Sequence, residues 1–180
     1  MSAAPTRWRR QRYPAWMRAA AALVAVAALA GCGAVAGARA LVGLAPAPAK
    51  PGWTSVTLAA AADANADSAL AVDIVLVKDK AMLESLSAMS AAKYFGAREN
   101  LQRTFPDALT VLAVEITPGQ QIRLDAKRFA KERAWAALVF ANYAAPGEHR
   151  LRLLLDKQGY VLQLNAQEFS ASEIKPGSAR

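Results

Sequence analysis

Cys32, His149 and the run Asp63-Ala64-Asn65-Ala66-Asp67 are the places in this 180-residue chain where residue type and spacing could carry chemistry. A single cysteine cannot close an internal disulfide, so Cys32 is a nucleophile, a small buried hydrophobe or an attachment point. His149 is the only histidine. It stands beside a Pro146-Gly147 turn, and no serine or cysteine context directs it toward catalysis, so a solvent-exposed loop histidine is expected. Asp63, Asn65 and Asp67 match the opening of a calcium loop, but the glycine and the distal bidentate glutamate of that motif are missing. A turn with polar tips is the expected reading. The remaining carboxylates are scattered, Cys and His do not cluster, and no phosphate-cradling glycine loop is present. No catalytic residue, metal, cofactor or small-molecule substrate is expected, and the chain does not read as an enzyme.

The flanks of Cys32 decide between its three uses. Residues 1–18 are basic and residues 19–31, "AAAALVAVAALAG", are apolar. A charged region, an apolar region and small residues before a cleavage point make up an export signal. Leu29-Ala30-Gly31-Cys32 resembles the bacterial lipobox, whose cysteine thiol is acylated and becomes the first residue of the mature chain. One acyl chain holds a protein on a membrane only marginally, whereas two or more anchor it stably. Residues 1–31 are thus read as a lipoprotein signal peptide, with Cys32 as the lipid-attachment site. Two other readings stay open. Ala19 to Ala38 has about the length of a membrane span, though Gly31, Gly33 and Gly37 make it a mediocre one. Arg9-Arg10 could belong to a twin-arginine signal, though Trp8 and Gln11 fit it poorly. Gly33 follows the cysteine where an aspartate would favour retention in the inner membrane, which points to the outer membrane.

The formal charge of +8 suggests a polyanion partner, but its distribution does not. Arg7, Arg9, Arg10, Arg12 and Arg18 lie in the signal segment, which has no acid. Without those five the chain carries 17 basic and 14 acidic side chains. Nucleic-acid binding is therefore not expected.

Residues 32–52 read as the lipidated N-terminus and a flexible tether, with "APAPAKPG" favouring extended conformations. A folded domain is expected over 53–172 and a disordered tail over 173–180. "WTSVTLAA" and "SALAVDIVLVK" alternate as strands, the second placing Leu70, Val72, Ile74 and Leu76 on one face and Asp73 on the other. From Asp79 to about Phe105 the period becomes helical. Asp79 and Ser90 are the expected caps, and Pro106 is the stop. Met82, Met89 and the neighbouring aromatics are assigned to core packing in preference to a ligand groove. "LTVLAVEITPG", "QQIRLD", the continuously apolar "WAALVFANY", "RLRLLLD" and "YVLQLNAQEF" follow as strands, the last two as a hairpin. Seven strands with short turns predict a mainly β, two-sheet sandwich.

This order of elements resembles the type VI secretion system outer-membrane lipoprotein family (TssJ-like). The resemblance is carried by "AVDIVLVKDKAMLESLSAM", "LTVLAVEITPGQQIRLD" and "WAALVFANYAAPGEHRLRL", behind the lipobox. It implies a transthyretin-like β-sandwich with a helical insertion after the second strand. It also implies a structural subunit of the secretion membrane complex, lipid-anchored at the periplasmic face of the outer membrane. Its implied partner is the periplasmic domain of an inner-membrane secretion-system protein. In the family the loop between the first two strands makes much of that contact. That loop corresponds here to "AAADANADS", which implies Asp63, Asn65 and Asp67 as partner-binding residues. The competing function is a pilotin- or chaperone-type lipoprotein that escorts an envelope protein or lipid through a groove near Met82, Leu86, Met89 and Phe95.

Overall fold

A computed structural model describes residues 47–175. Eight strands and two helices follow one another in it. The strands are β1 (Ser55–Ala60), β2 (Leu70–Val77), β3 (Leu109–Ile116), β4 (Gln121–Asp125), β5 (Ala136–Ala141), β6 (Arg150–Leu153), β7 (Gly159–Leu164) and β8 (Phe169–Glu173). The helices α1 (Lys80–Ser87) and α2 (Ala91–Thr104) lie between β2 and β3. One sheet has the order β4-β1-β7-β8 and the other β3-β2-β5-β6. Only β1 and β7 pair in parallel; the other neighbours are antiparallel. The expected two-sheet sandwich with its helical insertion is present.

The alternation of apolar residues builds the core between the sheets. Val56 and Leu58 of β1, Val72, Ile74 and Leu76 of β2, Val139 of β5 and Leu162 and Leu164 of β7 meet there and are fully or almost fully buried. The other face of β2 and β5 is buried as well, because α1 and α2 cover it, and it is apolar apart from Asp73. Val75, Val77, Leu138 and Phe140 pack there against Leu86, Ala91 and Tyr94, with Met82, Met89 and Phe95 partly buried at the margin. This second core explains why β5 is continuously apolar: it is a central strand covered on both sides. It also puts Met82, Met89, Tyr94 and Phe95 into packing, while Phe105 stays exposed.

Both helix caps form as the sequence predicts. The Asp79 carboxylate accepts from the Met82 N–H at 2.7 Å, and the Ser90 hydroxyl accepts from the Lys93 N–H at 3.5 Å. α2 ends at Thr104, one residue before Phe105 and two before Pro106.

Two expectations need correction. β6 and β7 do not form a hairpin. The turn at residues 155–158 reverses the chain, but β6 pairs with β5 and β7 pairs with β1 and β8, so the turn carries the chain from one sheet to the other. Moreover, "YVLQLNAQEF" is not one strand. It breaks after Leu164 at a turn closed by the Asn165 N–H donating to the Glu168 carbonyl at 2.9 Å, and β8 follows as an eighth strand.

Candidate functional site

The strand directions give the sandwich two ends with different equipment. β1 starts at Ser55 and finishes at Ala60, and its register with β4 and β7 fixes which loops share an end. The β1–β2, β3–β4, β5–β6 and β7–β8 connections gather at one end. The first described residues lie at the other, beside the β4–β5 and β6–β7 connections. There Ala49 exchanges two 2.9 Å backbone hydrogen bonds with Ala134, and the Gly52 N–H donates to the Leu155 carbonyl at 2.7 Å. Trp53 stands edge-on to Phe129 at 5.1 Å, and its indole N–H donates to the Leu154 carbonyl. Residues 49–53 are therefore stitched to the domain at the end away from the β1–β2 loop. Cys32 lies outside the described residues.

The β1–β2 loop is held in one shape. Asn65, Ala66 and Asp67 all have positive φ, between 49° and 61°. Such a run in non-glycine residues persists only where contacts impose it. Asn65 supplies those contacts. It is only 6% exposed. Its side-chain N–H donates to the Ala69 carbonyl at 3.0 Å, and its side-chain oxygen accepts from the Ala144 N–H at 2.8 Å. Its backbone N–H donates to the Asn165 carbonyl. The loop is thereby tied to both the β5–β6 and β7–β8 connections. Asp63 and Asp67 stand exposed on either side. The structure thus separates the three loop residues: Asn65 points inward and shapes the loop, and the two aspartates present charge.

A second anchor lies beneath. The buried Tyr143 hydroxyl donates to the Glu168 carbonyl at 2.8 Å, joining the β5–β6 and β7–β8 connections. Burial pushes its phenol pKa up to about 12. His149 lies against this ring at 4.7 Å, and its Nε2 is 2.8 Å from the Ala145 carbonyl. The histidine expected to be solvent-exposed is instead half-buried, because its ring packs on Tyr143 and reaches the Ala145 carbonyl. Between these connections runs an open cleft of about 900 Å³, lined by Asp63, residues 145–151 and residues 165–169.

The exposed charge of the four connections at this end has one sign. The connections, residues 61–69, 117–120, 142–149 and 165–168, contain Asp63, Asp67, Glu148 and Glu168 and no Lys or Arg. All four carboxylates are exposed, and Glu148 is 3.5 Å from Arg150 at the start of β6. Among the described residues no group of three or more His, Cys, Asp or Glu could hold a metal ion, and no helix is long and apolar enough to cross a membrane.

An eight-stranded sandwich of two four-stranded sheets, with paired helices inserted after its second strand and a loop-built end opposite its N-terminal strap, defines the class of this domain. The T6SS lipoprotein TssJ1 from Pseudomonas aeruginosa shares that fold. The two superpose with a TM-score of 0.52 at 19% identity, over 71% of this chain and 98% of that one. Serratia marcescens Lip, a membrane-bound component of the type VI secretion system, gives 0.45 at 14% identity over 67% and 96%. No protein-family model matches the sequence, and no curated protein matches it.

Proposed function

We propose that this chain is a lipid-anchored structural subunit of a type VI secretion membrane complex, held at the periplasmic face of the outer membrane through Cys32. Its loop end binds the periplasmic domain of an inner-membrane partner. The observation that supports this reading best is the polarity of the sandwich. The N-terminal strap, which continues the tether from Cys32, is fixed at one end, and the β1–β2 loop is rigidly presented at the other. A protein with lipid at one end and a shaped, charged surface at the opposite end is suited to bridging. The fold shared with TssJ1 supports the same reading. The partner's docking surface carries Lys and Arg in this proposal, because the charged residues of the four loop connections are all carboxylates.

Palmitate labelling of wild type and Cys32→Ala tests the anchor: label enters the wild type and not the variant. Purification of the full lipoprotein from envelopes containing the assembled machine tests the bridge. The inner-membrane protein co-purifies with wild type and is lost with Asp63→Lys/Asp67→Lys. Recovery of wild-type lipoprotein without it, from such envelopes, overturns the bridging role.

A further inference from the structure

The N-terminal strap does not lie against neutral surface. Residues 126–133, "AKRFAKER", run antiparallel beside it from β4 to β5. Ala126 N–H donates to the Thr54 carbonyl, Phe129 packs on Trp53, the Arg133 guanidinium donates to the Pro48 carbonyl at 3.2 Å, and Ala134 pairs with Ala49. The segment is pinned through Phe129, which is buried, while Lys127, Arg128, Lys131 and Arg133 are exposed. Lys50 stands exposed on the strap itself. None of these five has a carboxylate partner among the described residues. The one acid of the segment, Glu132, is taken by Lys78 at 2.7 Å, which holds the glutamate's pKa below the usual carboxylate range. Lys157, also at this end, is paired with Glu173 at 3.1 Å.

We infer that Lys50, Lys127, Arg128, Lys131 and Arg133 form a docking surface for anionic lipid headgroups, which seats the strap end of the domain on the membrane. The inference rests on the lipid-anchored reading above and goes beyond it, since an anchor on a flexible tether fixes distance but not orientation. Charge complementarity and position select the occupant. The patch surrounds the point where the tether joins the domain, so a phosphate-bearing leaflet is the polyanion held nearest to it. Each Lys or Arg near such a surface favours contact roughly fivefold. The acidic loops lie about 20 Å away, one strand length of six to eight residues, and the screening length in physiological salt is about 8 Å. The loop carboxylates therefore do not cancel the attraction, and when the domain tips over the membrane they oppose it. The opposed charges of the two ends turn the loops away from the lipid and toward the partner.

The test uses full lipoprotein reconstituted into neutral phosphatidylcholine vesicles or into vesicles with a third phosphatidylglycerol, both carrying a headgroup acceptor dye. A donor is attached at Ala130→Cys, within the patch, or at Gln167→Cys, at the loop end. The inference expects energy transfer from position 130 to rise at least about twofold on anionic vesicles and to fall back in 1 M salt. It expects no such rise from position 167. The variant Lys127→Glu/Arg128→Glu/Lys131→Glu/Arg133→Glu should lose the rise while still floating with both vesicles. Equal transfer on both vesicles, or a rise that survives charge reversal, overturns the inference and leaves the anchor standing. Flotation separates the two readings. A chain that fails to float with neutral vesicles sinks the anchor. In that case flotation with anionic vesicles that is lost on charge reversal supports the patch, and its absence overturns the patch too. Loss of a co-purifying acidic protein on charge reversal, with vesicle signals unchanged, makes the patch a protein contact and also overturns the lipid assignment.

Discussion

The Tyr94 hydroxyl of α2 donates a 2.8 Å hydrogen bond to Oδ2 of Asp73, a carboxylate at the centre of β2 that is 1% exposed. The Arg98 guanidinium approaches the same carboxylate at 3.3 Å from the next turn of the helix. Asp73 lies opposite Phe140 in the β2–β5 register, and Tyr94 stacks on that ring at 4.1 Å. A charged side chain thus sits in the second core, and the helix packed over it supplies both its partners. Burial and the nearby Asp73 carboxylate raise the Tyr94 pKa well above its ordinary value, so the phenol stays a donor at any physiological pH.

Removing the acceptor should cost more than removing either donor. Asp73→Ala leaves the Tyr94 hydroxyl buried without a partner and is expected to destabilise by about 2–4 kcal/mol. Tyr94→Phe keeps the stacking and leaves Arg98 on the carboxylate, so about 1–2 kcal/mol is expected. Asp73→Leu/Tyr94→Phe, with no orphaned hydroxyl, should be more stable than Asp73→Ala. Urea unfolding of the three variants checks the order, and a double variant less stable than Asp73→Ala sinks this account.

Asn65 makes a separate prediction at the loop end. Asn65→Ala removes the acceptor for the Ala144 N–H and the donor to the Ala69 carbonyl, at a position with φ of 49° that asparagine tolerates better than alanine. A loss of about 2–3 kcal/mol is expected. Asp67→Ala, which removes only an exposed charge, should change stability by less than about 0.5 kcal/mol. Partner capture should fall with both, through loop shape in one and charge in the other. Thermal denaturation beside the co-purification assay separates the two causes.

What the sequence tells about this fold, and what it withholds, follows from the range of each signal. Alternation in "LAVDIVLV" and the caps Asp79 and Ser90 are local, and each is found where it is expected. Pairing is not local. "RLRL" and "GYVLQL" have the same period and a tight turn between them, which describes a hairpin and an inter-sheet crossover equally well. Their partners, β5 for one and β1 for the other, are remote in the chain for β7. β8, "FSASE", has only Phe169 and Ala171 turned toward the core, too little apolar pattern to mark a strand beforehand. The site was half legible. Composition marks 61–69 as a polar loop, but Asn65 is shown to be inward only by the arrival of Ala144 and Asn165 from other connections. The basic strap patch is hidden in the total charge, where 17 basic and 14 acidic side chains remain once the five arginines of residues 1–31 are set aside.

Gly159 and Gly119 should respond differently to the same change. Gly159 opens β7 with φ of 150°, and a Cβ there would collide with the Ser55 carbonyl oxygen across the parallel β1–β7 pair. Backbone must move, and the β1–β7 pairing joins the two halves of its sheet. Gly159→Ala should cost more than about 3 kcal/mol and cut the yield of folded protein. Gly119 has φ of 74° but open space around it, so Gly119→Ala should cost only the left-handed backbone penalty, about 1–2 kcal/mol. Guanidinium unfolding of both variants measures the contrast, and equal costs would show that the Ser55 contact is not what requires glycine at 159.

Tyr143 gives stability an alkaline limit. Its pKa is about 12 in the folded protein, against about 10 when exposed in the unfolded chain. A raised acid of this kind contributes fully while both states are protonated, below pH 10. Above that the unfolded chain releases its proton and the folded one does not, so stability falls until the pH passes the folded value. Two pH units of difference correspond to roughly 2–3 kcal/mol lost between pH 10 and 12 from this group. Tyr94, raised for the same reason and also buried, adds to the slope in the same direction. Tyr143→Phe gives up the hydrogen bond to the Glu168 carbonyl, which lowers stability at pH 7 by about 1 kcal/mol. It also removes a titrating phenol, so the variant should lose less stability than wild type between pH 10 and 12. Urea midpoints at pH 7, 10 and 11.5 test this. Parallel curves for wild type and Tyr143→Phe would mean that the phenol ionises equally in both states, against the burial seen at the loop end.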